Sequence, residues 1–294
     1  MSRLSYAIAG GVLAAACLGV AAYAQQPAAP PFATSKVADN VYVFRYGGHQ
    51  SMFVVTSAGV IATDPIGYGR PQAVVTYVDE IKKVSDKPIK YLIYSHHHYD
   101  HIAGGKPFKD AGAIFVSHRR AKERIEQVKD PFTIVPDEVM EDQRTITLGD
   151  TTIELSYLGL NHSDSSIVMR LPAHKIIFAV DFIPVGSLPG RGIIDSHPLE
   201  WEESLKKVMT MDWERLIPGH PGPGGRLGTK DDVQKLLVML QDMSAEVREA
   251  ALAGKCWDTA EKEVMLEKYA GWPGYEASRP MIVRRYCGLW GRGT

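Results

Sequence analysis

The sequence predicts a layered α/β fold, in which two β-sheets are covered on their outer faces by helices. Short apolar runs rich in β-branched residues form two batches, at 41–63 with 89–116 and at 145–180 with 215–217. Helical patterns follow or interrupt each batch, and sheets and helices must each bury an apolar face against a neighbour. Two sheets with helices outside them would bury both batches.

The first batch reads as a meander followed by alternating helix and strand. The 71–84 segment carries apolar residues at helical spacing, and Pro88 then resets the chain before an apolar run. The predicted elements are strands at 42–44, 52–55 and 59–63, a helix at 71–84, strands at 89–94 and 113–116, and a helix at 118–128.

The second batch contains two hairpins and ends in helices. Gly149-Asp150 is a turn pair that hairpins prefer, and Pro198 suits the first turn of a helix. The predicted elements are strands at 145–148, 151–158, 167–171 and 175–180, a helix at 198–209, a strand at 215–217 and an amphipathic helix at 229–252.

The first 24 residues read as a cleaved export signal. Arg3 precedes an apolar stretch from 6 to 20, and Ala22-Tyr23-Ala24 is a small-x-small cleavage site. A membrane anchor, or lipidation of Cys17, is the alternative. We therefore expect a periplasmic or secreted protein without membrane attachment after cleavage. The expected organisation is a signal peptide at 1–24, a flexible linker at 25–36, a domain core at 37–228 and a mostly helical part at 229–294 packed on the same domain.

Charge and cysteine content exclude some classes of partner. The net charge is −1 and no lysine or arginine run exceeds a pair, so we expect no nucleic-acid partner. Cys256 and Cys287 remain after cleavage, and the sequence leaves open whether they form a disulfide. Both lie far along the chain from the histidines, which disfavours metal binding through sulfur. The expected partner is a small-molecule substrate, and the oligomeric state stays open.

Four of the ten histidines stand in the segment His96-His97-His98-Tyr99-Asp100-His101. Positions 96 and 98 follow an apolar strand, so their side chains leave on one face while the chain stays extended. The glycine pair at 104–105 allows a tight turn that would bring Asp100 and His101 back toward the same space. Imidazole and carboxylate are zinc ligands, and three protein ligands with an open position mark a catalytic ion. This segment therefore predicts ligand pairs for two neighbouring ions.

Three later residues could complete two ion sites. His162, Asp181 and His220 each follow a predicted strand at the point where it gives way to a loop. Strand ends can converge on one edge of the sheets, so we expect these side chains to join the histidine-rich segment.

Together, HHHYDH followed by Gly-Gly, a histidine after a strand, an aspartate ending a strand and Pro-Gly-His resemble the metallo-β-lactamase-fold superfamily of hydrolases over residues 60–220. The resemblance implies a four-layer αβ/βα sandwich with a dinuclear site at its edge. It further implies that His96, His98 and His162 hold the first ion, that Asp100, His101 and His220 hold the second, and that Asp181 bridges them. Asp64 matches a family aspartate that supports the ligands by hydrogen bonding.

The expected cofactor is a pair of Zn²⁺ ions, with iron or manganese also compatible with these ligands. Two divalent cations, two carboxylates and a hydroxide leave about one positive charge, which favours an anionic or carbonyl-bearing substrate. Metal binding makes hydroxide available at neutral pH, and Asp100 could orient it or take its proton. We expect an exported hydrolase that attacks a small ester, lactone, thioester or amide-like bond with metal-bound hydroxide.

A β-lactam is one candidate substrate, since export would place the enzyme where such antibiotics arrive. Asp181 argues against it, because the resemblance at that position is stronger to thioesterase and lactonase branches. A di-iron redox protein and a non-catalytic periplasmic metal-binding protein are the alternatives from other classes. A substrate contact is considered for His49, and the remaining histidines are interpreted as structural or exposed: His97, His118, His174 and His197.

Overall fold

Two β-sheets face each other in the computed structural model, which describes residues 31–190 and 192–294. The first sheet has the order β1-β2-β3-β4-β5-β6-β7, and the second has the order β12-β11-β10-β9-β8. The strands of the first sheet are β1 (Phe32–Ala38), β2 (Val41–Tyr46), β3 (His49–Val55), β4 (Val60–Thr63), β5 (Ile89–Ile93), β6 (Ile114–His118) and β7 (Glu138–Met140). Those of the second are β8 (Gln143–Leu148), β9 (Thr151–Tyr157), β10 (Ile167–Leu171), β11 (Ile176–Ala179) and β12 (Arg215–Pro218).

Helices cover the outer faces of both sheets. In chain order they are α1 (Pro71–Val84), α2 (Tyr99–Ile102), α3 (Lys106–Asp110), α4 (Arg119–Val128), α5 (Pro198–Thr210), α6 (Lys230–Leu252), α7 (Asp258–Glu263) and α8 (Tyr275–Arg292). Within residues 31–190 and 192–294, no helix combines the length and the apolarity that crossing a bilayer requires.

Alternating side chains of the strands supply separate apolar layers. Ile61 of β4 packs between the sheets with Phe178 of β11, whereas Val60 and Ala62 face α1 on the outside. Successive strand residues point to opposite faces, so a strand buried on both sides reads as a continuous apolar run. This arrangement gives four layers and confirms the predicted sandwich.

The C-terminal helices pack on the second sheet. Ile177 and Ala179 of β11 share one buried cluster with Trp201 of α5, Leu240 of α6 and Tyr286 of α8. The segment after residue 229 therefore buries its apolar face against the same sheet that carries Asp181. Cys256 and Cys287 are both free thiols in this part of the chain.

Parallel pairing brings the ends of neighbouring strands to one edge. β4 and β5 run parallel, with Thr63 opposite Ile93, and β11 and β12 run parallel, with Ala179 opposite Pro218. The segments that follow these four strands begin at the same edge of the sandwich, where the two sheets meet. This geometry positions the predicted site.

The structure departs from the sequence-based expectation at one end of the first sheet. Residues 32–36, expected in a flexible linker, belong to β1, which pairs antiparallel with β2. Its sequence, FATSKVA, is largely polar because an edge strand need not bury both faces, and apolar periodicity therefore does not reveal it. The strand β7 and the short helices α2 and α3 were also not predicted. The predicted signal peptide lies outside the described residues.

Candidate metal centre

The histidine-rich segment lies at the edge where β5 ends. His98 keeps an extended backbone (φ −72°, ψ 133°) and caps the one-turn helix α2. The amides of His101 and Ile102 both donate to the His98 carbonyl at 3.2 Å. This single helical turn, which begins before the glycine pair, is what folds Asp100 and His101 back toward His96.

Seven predicted ligand residues and one further histidine form two adjoining sets of donor atoms. Within each set, one donor atom of every residue lies within 4.8 Å of those of the others. The first set contains His96, His98, His162 and Asp181, and the second contains His49, Asp100, His101 and His220. All seven side chains named from the sequence as metal ligands therefore meet at this edge.

Asp181 lies between the two sets. Its Oδ2 is 3.5 Å from His162 Nε2 in the first set and 3.2 Å from His101 Nε2 in the second. Its Oδ1 is 3.1 Å from His220 Nε2. The residue directly follows Val180 after β11 and has a left-handed backbone (φ 56°), a conformation that aspartate adopts more readily than most residues. This turn directs the carboxylate back into the site.

Five buried atoms of the ligand side chains make no hydrogen bond of acceptable geometry within the described residues. They are His96 Nε2, both ring nitrogens of His101, His162 Nδ1 and Asp181 Oδ1. A buried polar atom without a partner costs about 1–3 kcal/mol, so such a concentration is unusual unless a ligand satisfies it. Imidazole nitrogens and carboxylate oxygens in this proportion fit divalent cations such as zinc.

The electrostatics of the site set the protonation states of its ligands. Burial lowers the pKa of His162 to about 4 and holds the pKa of His96 well below its usual value. Burial opposes ionisation of Asp181, but His101 and His220 outweigh it and hold the pKa of that carboxyl well below its usual range. At neutral pH His96 and His162 are therefore neutral and Asp181 is ionised, as metal ligation requires. Burial opposes protonation of His220, but Asp181 outweighs it and raises the pKa of His220 to about 9, so a cation must displace a proton there.

Asp64 supports the site through the backbone. Its side chain is fully buried, and Oδ1 accepts the amide hydrogen of Ser95 at 2.8 Å, directly before His96. Ser95 Oγ in turn lies 2.9 Å from His96 Nδ1. Burial raises the pKa of Asp64 to about 6. The hydrogen bond proposed from the sequence is thus made to the strand end that carries the ligands.

Close packing also fixes the loop that carries His220. A Cβ atom at Gly219 would lie 2.4 Å from Val180 Cγ1 and 3.1 Å from His101 Cε1. The amide of Gln50 donates to the Gly219 carbonyl at 2.7 Å, which ties this loop to β3. Glycine is therefore required for the approach of the loop to the site.

His49 belongs to the second set of donor atoms, whereas only a substrate contact was considered for it from the sequence. Its Nε2 lies 3.2 Å from Asp100 Oδ2, and its ring centroid is 4.4 Å from that of His220. Burial lowers the pKa of His49 to about 4. The residue begins β3 after a glycine pair, and its sequence carries no other signal of a metal site.

The remaining histidines occupy different positions. His97 Nδ1 is 2.8 Å from Ser165 Oγ, and its ring adjoins the site without entering either set. His118 caps α4 by accepting the amide hydrogen of Arg120. His174 lies in a short 3-10 turn, and His197 precedes α5.

Sequence reasoning missed Asp195 altogether. Asp195 lies in the loop between Asp181 and α5, and its carboxylate contacts both His97 and His98. Its chain position carries no apolar periodicity or metal-ligand spacing that would have identified it.

Two cavities border the metal centre. One, of about 190 Å³, is lined by Asp181, Ile183, Pro184, Ser187, Leu188, Gly190, Pro218, Gly219 and His220. The other, of about 320 Å³, is lined by His97, His98, Tyr99, Arg124, Ile125 and Val128. A larger apolar groove of about 600 Å³ beside Tyr68 and Phe132 contains none of the seven ligand side chains.

Comparison with known proteins agrees with this geometry. The sequence profile of a family described as the Metallo-beta-lactamase superfamily matches residues 48–220, which include all seven side chains. The metallo-beta-lactamase from Pontibacter korlensis shares the fold with a TM-score of 0.63 at 19% identity, over 71% of this chain and 99% of that one.

Two sequence relatives carry different activities in their names. The 2,4-dinitroanisole O-demethylase subunit alpha of Nocardioides sp. (strain JS1661) is 22% identical over 194 residues, which are 65% of this chain and 58% of the relative. The type 2 metallo-beta-lactamase of Bacillus cereus is 25% identical over 155 residues, which are 51% of this chain and 58% of the relative. The chain thus spans somewhat more than half the length of each.

Proposed function

The chain belongs to the Metallo-beta-lactamase superfamily of metal-dependent hydrolases, and from that premise we propose that it hydrolyses a small ester, lactone, thioester or amide-like substrate at a dinuclear zinc centre. The observation that carries the proposal is the convergence of seven donor side chains from four separate segments into two adjoining sets. Such a constellation rarely assembles without an ion, because its buried donor atoms would remain unpaired.

The two sets of donor atoms support a division of the seven predicted ligands between two ions. His96, His98 and His162 would hold the first ion, Asp100, His101 and His220 would hold the second, and Asp181 would contact both. Bound there, two zinc ions would polarise the scissile bond and lower the pKa of the attacking water.

Asp100 is suited to accept a proton during the reaction. Its side chain is 40% exposed, compared with 14% for Asp181, so a water molecule can reach it. Burial opposes its ionisation, but the hydrogen bond with His49 and the nearby His101 together outweigh burial and hold the pKa of Asp100 below its usual value, so the carboxylate is ionised. We assign Asp100 the role of orienting the nucleophilic water and accepting its proton at a carboxylate oxygen.

The cavity beside Asp181 and His220 sets the size of the group bound next to the scissile bond. Its volume of about 190 Å³ suits a small substituent, and Ile183, Pro184 and Leu188 give its wall an apolar part. The names of the two relatives state different activities, so they do not favour a particular substrate.

A substrate panel with metal analysis tests this function. Purified protein would be assayed for metal content and then for hydrolysis of a nitrophenyl ester, a γ-lactone, an acyl thioester, a chromogenic cephalosporin and a phosphodiester. We expect two zinc ions per chain and chelator-sensitive cleavage of an ester, lactone or thioester. Two bound metals with no cleavage across the panel would favour a metal-binding protein, and two redox-active irons would favour electron transfer.

Export is a separate proposal, supported by the sequence of residues 1–24. Expression of the full chain in a bacterium, followed by fractionation and N-terminal sequencing, tests it. We expect the protein in the periplasm or medium with a new N-terminus after Ala24. Retention of Met1 in the cytosolic fraction would contradict export and would leave the hydrolytic function unaffected.

A further inference from the structure

We propose that Asp195, braced by the C-terminal helix α8, is a positioning residue that orients His98 as a ligand of the first ion. The inference rests on the proposed metal centre and adds to it a carboxylate and a helix that the seven ligands do not include. It would mean that the segment after residue 229 contributes to metal binding through α8.

The two ring nitrogens of His98 face different partners. Nδ1 lies 3.0 Å from His162 Nε2, inside the first set. Nε2 lies 3.1 Å from Asp195 Oδ1 and 3.0 Å from Asp195 Oδ2. A carboxylate can only accept a hydrogen bond when ionised, so this contact places the imidazole proton on Nε2 and leaves the Nδ1 lone pair for the ion.

His98 is distinguished from the other histidines of its set by this partner. Within the described residues, the carboxylate that approaches His96 and His162 is Asp181, which is itself a ligand. His98 contacts Asp195, which belongs to neither ligand set. Carboxylates that bond the outer nitrogen of a ligating histidine fix its tautomer and ring orientation, and their loss typically weakens metal binding 10–100-fold.

Three contacts hold the backbone around Asp195. The amide of His197 donates to the Asn161 carbonyl at 2.8 Å, next to His162. Arg285 Nε of α8 donates to the Ser196 carbonyl at 2.7 Å. Ile193 is buried in the cluster that the C-terminal helices share with the second sheet. The loop therefore takes its position from α8, which lies outside the family match at 48–220.

A third metal site is a competing interpretation of the same residues. Donor atoms of His97, His98 and Asp195 lie within 4.8 Å of one another. However, a neutral imidazole has a single lone pair, and His98 already directs Nδ1 into the first set. His97 Nε2, at 3.3 Å from Asp195 Oδ2, is more simply a second hydrogen-bond donor to the same carboxylate.

Metal affinity, measured apart from activity, tests the inference. Full-length wild type, Asp195→Asn and Asp195→Ala would be titrated with Zn²⁺ against a chromophoric chelator, and with Co²⁺ while the visible absorption is recorded. We expect 10–100-fold weaker binding of one of the two ions in both variants and an altered Co²⁺ spectrum. Binding of the other ion and the melting temperature of the metal-free protein should stay near wild type.

Asp164→Asn is the matched control. Asp164 lies 3.6 Å from His97 Nδ1 and pairs with Arg124, but it contacts neither ligand set. We expect its zinc affinity to stay within twofold of wild type. Arg285→Ala should weaken the same ion as Asp195→Asn, severalfold, because the loop loses its brace.

The outcomes separate this inference from the proposed function. If Asp195→Ala fails to fold, Asp195→Asn decides, because the amide preserves the size of the side chain. Wild-type affinities and Co²⁺ spectra in Asp195→Asn would overturn the inference and leave the dinuclear centre standing. A third zinc equivalent that disappears in Asp195→Asn would also overturn it, in favour of a third site. A wild-type protein that binds no ion would overturn both.

Discussion

Removing the metal ions should destabilise the protein by about 5 kcal/mol at zinc concentrations 100-fold above the dissociation constants. A ligand that binds only the folded state contributes about 2.7 kcal/mol at that ratio, and the site has two ion positions. The seven ligand side chains come from segments that follow β5, β9, β11 and β12, so unfolding separates them completely. Binding free energy is therefore folding free energy at this site.

The structure also shows why the empty site would be strained. Five donor atoms of His96, His101, His162 and Asp181 are buried without hydrogen-bond partners among the described residues. Each imidazole can offer only one nitrogen to an ion, and an atom that faces an ion position is left unpaired without it, at about 1–3 kcal/mol where it cannot relax. For a chain of this size, about 5 kcal/mol corresponds to a fall in melting temperature of roughly 10 °C or more.

Thermal melting with and without a chelator measures this effect. Readdition of zinc should restore the original melting temperature. In His162→Ala the chelator-induced shift should fall by about half, since the first set loses a buried ligand. His174→Ala, in an outlying turn, should retain the full shift. An unchanged melting temperature on chelation of the zinc-loaded wild type would contradict coupling of metal binding to folding, as would a full shift in His162→Ala.

Three further predictions concern single residues. Asp100→Asn should lower kcat by about 10²-fold or more, because the amide cannot accept a proton and is a weaker ligand for the second ion. His97→Ala should stay within a fewfold of wild type, and equal losses in steady-state assays would contradict the assignment. Gly219→Ala should cost about 1–3 kcal/mol in urea unfolding and reduce activity, because the new methyl group would meet neighbours at 2.4 and 3.1 Å. Gly271→Ala, which meets nothing within 4 Å, is its control, and similar losses in both would count against the packing argument. Asp232→Ala should cost about 2 kcal/mol, because Asp232 bonds the α6 N-cap and an arginine. Burial opposes ionisation of Asp232, but these bonds outweigh burial and lower the pKa of Asp232. The difference in unfolding free energy between wild type and Asp232→Ala should therefore shrink as the pH falls below the usual aspartate range, and a difference independent of pH would contradict this.

The ligand residues could be predicted because each stands at a position that the sequence marks. The segment at 96–101 concentrates four histidines directly after an apolar strand, and Asp181 and His220 end apolar runs. Parallel pairing of β4 with β5 and of β11 with β12 then brings these ends together, as the layered fold requires. Local pattern and fold class were sufficient to predict that these side chains lie close together.

Other features depend on contacts between distant segments. Asp195 reaches His98 because Ser196 is held by Arg285, 89 residues further along the chain. His49 reaches Asp100 across 51 residues from the start of β3. The edge strand β1 is polar and is defined by its pairing with β2 more than by its own sequence. No periodicity or spacing in a single sequence encodes such relations.

Anomalous diffraction at the zinc edge, from crystals grown with zinc, would locate the ions of the proposed dinuclear centre. We expect two peaks about 3.5–4 Å apart, one beside His96, His98 and His162 and the other beside Asp100, His101 and His220, with Asp181 touching both. Absence of zinc from these positions, or His162, Asp181 or His220 turned away from the peaks, would contradict it.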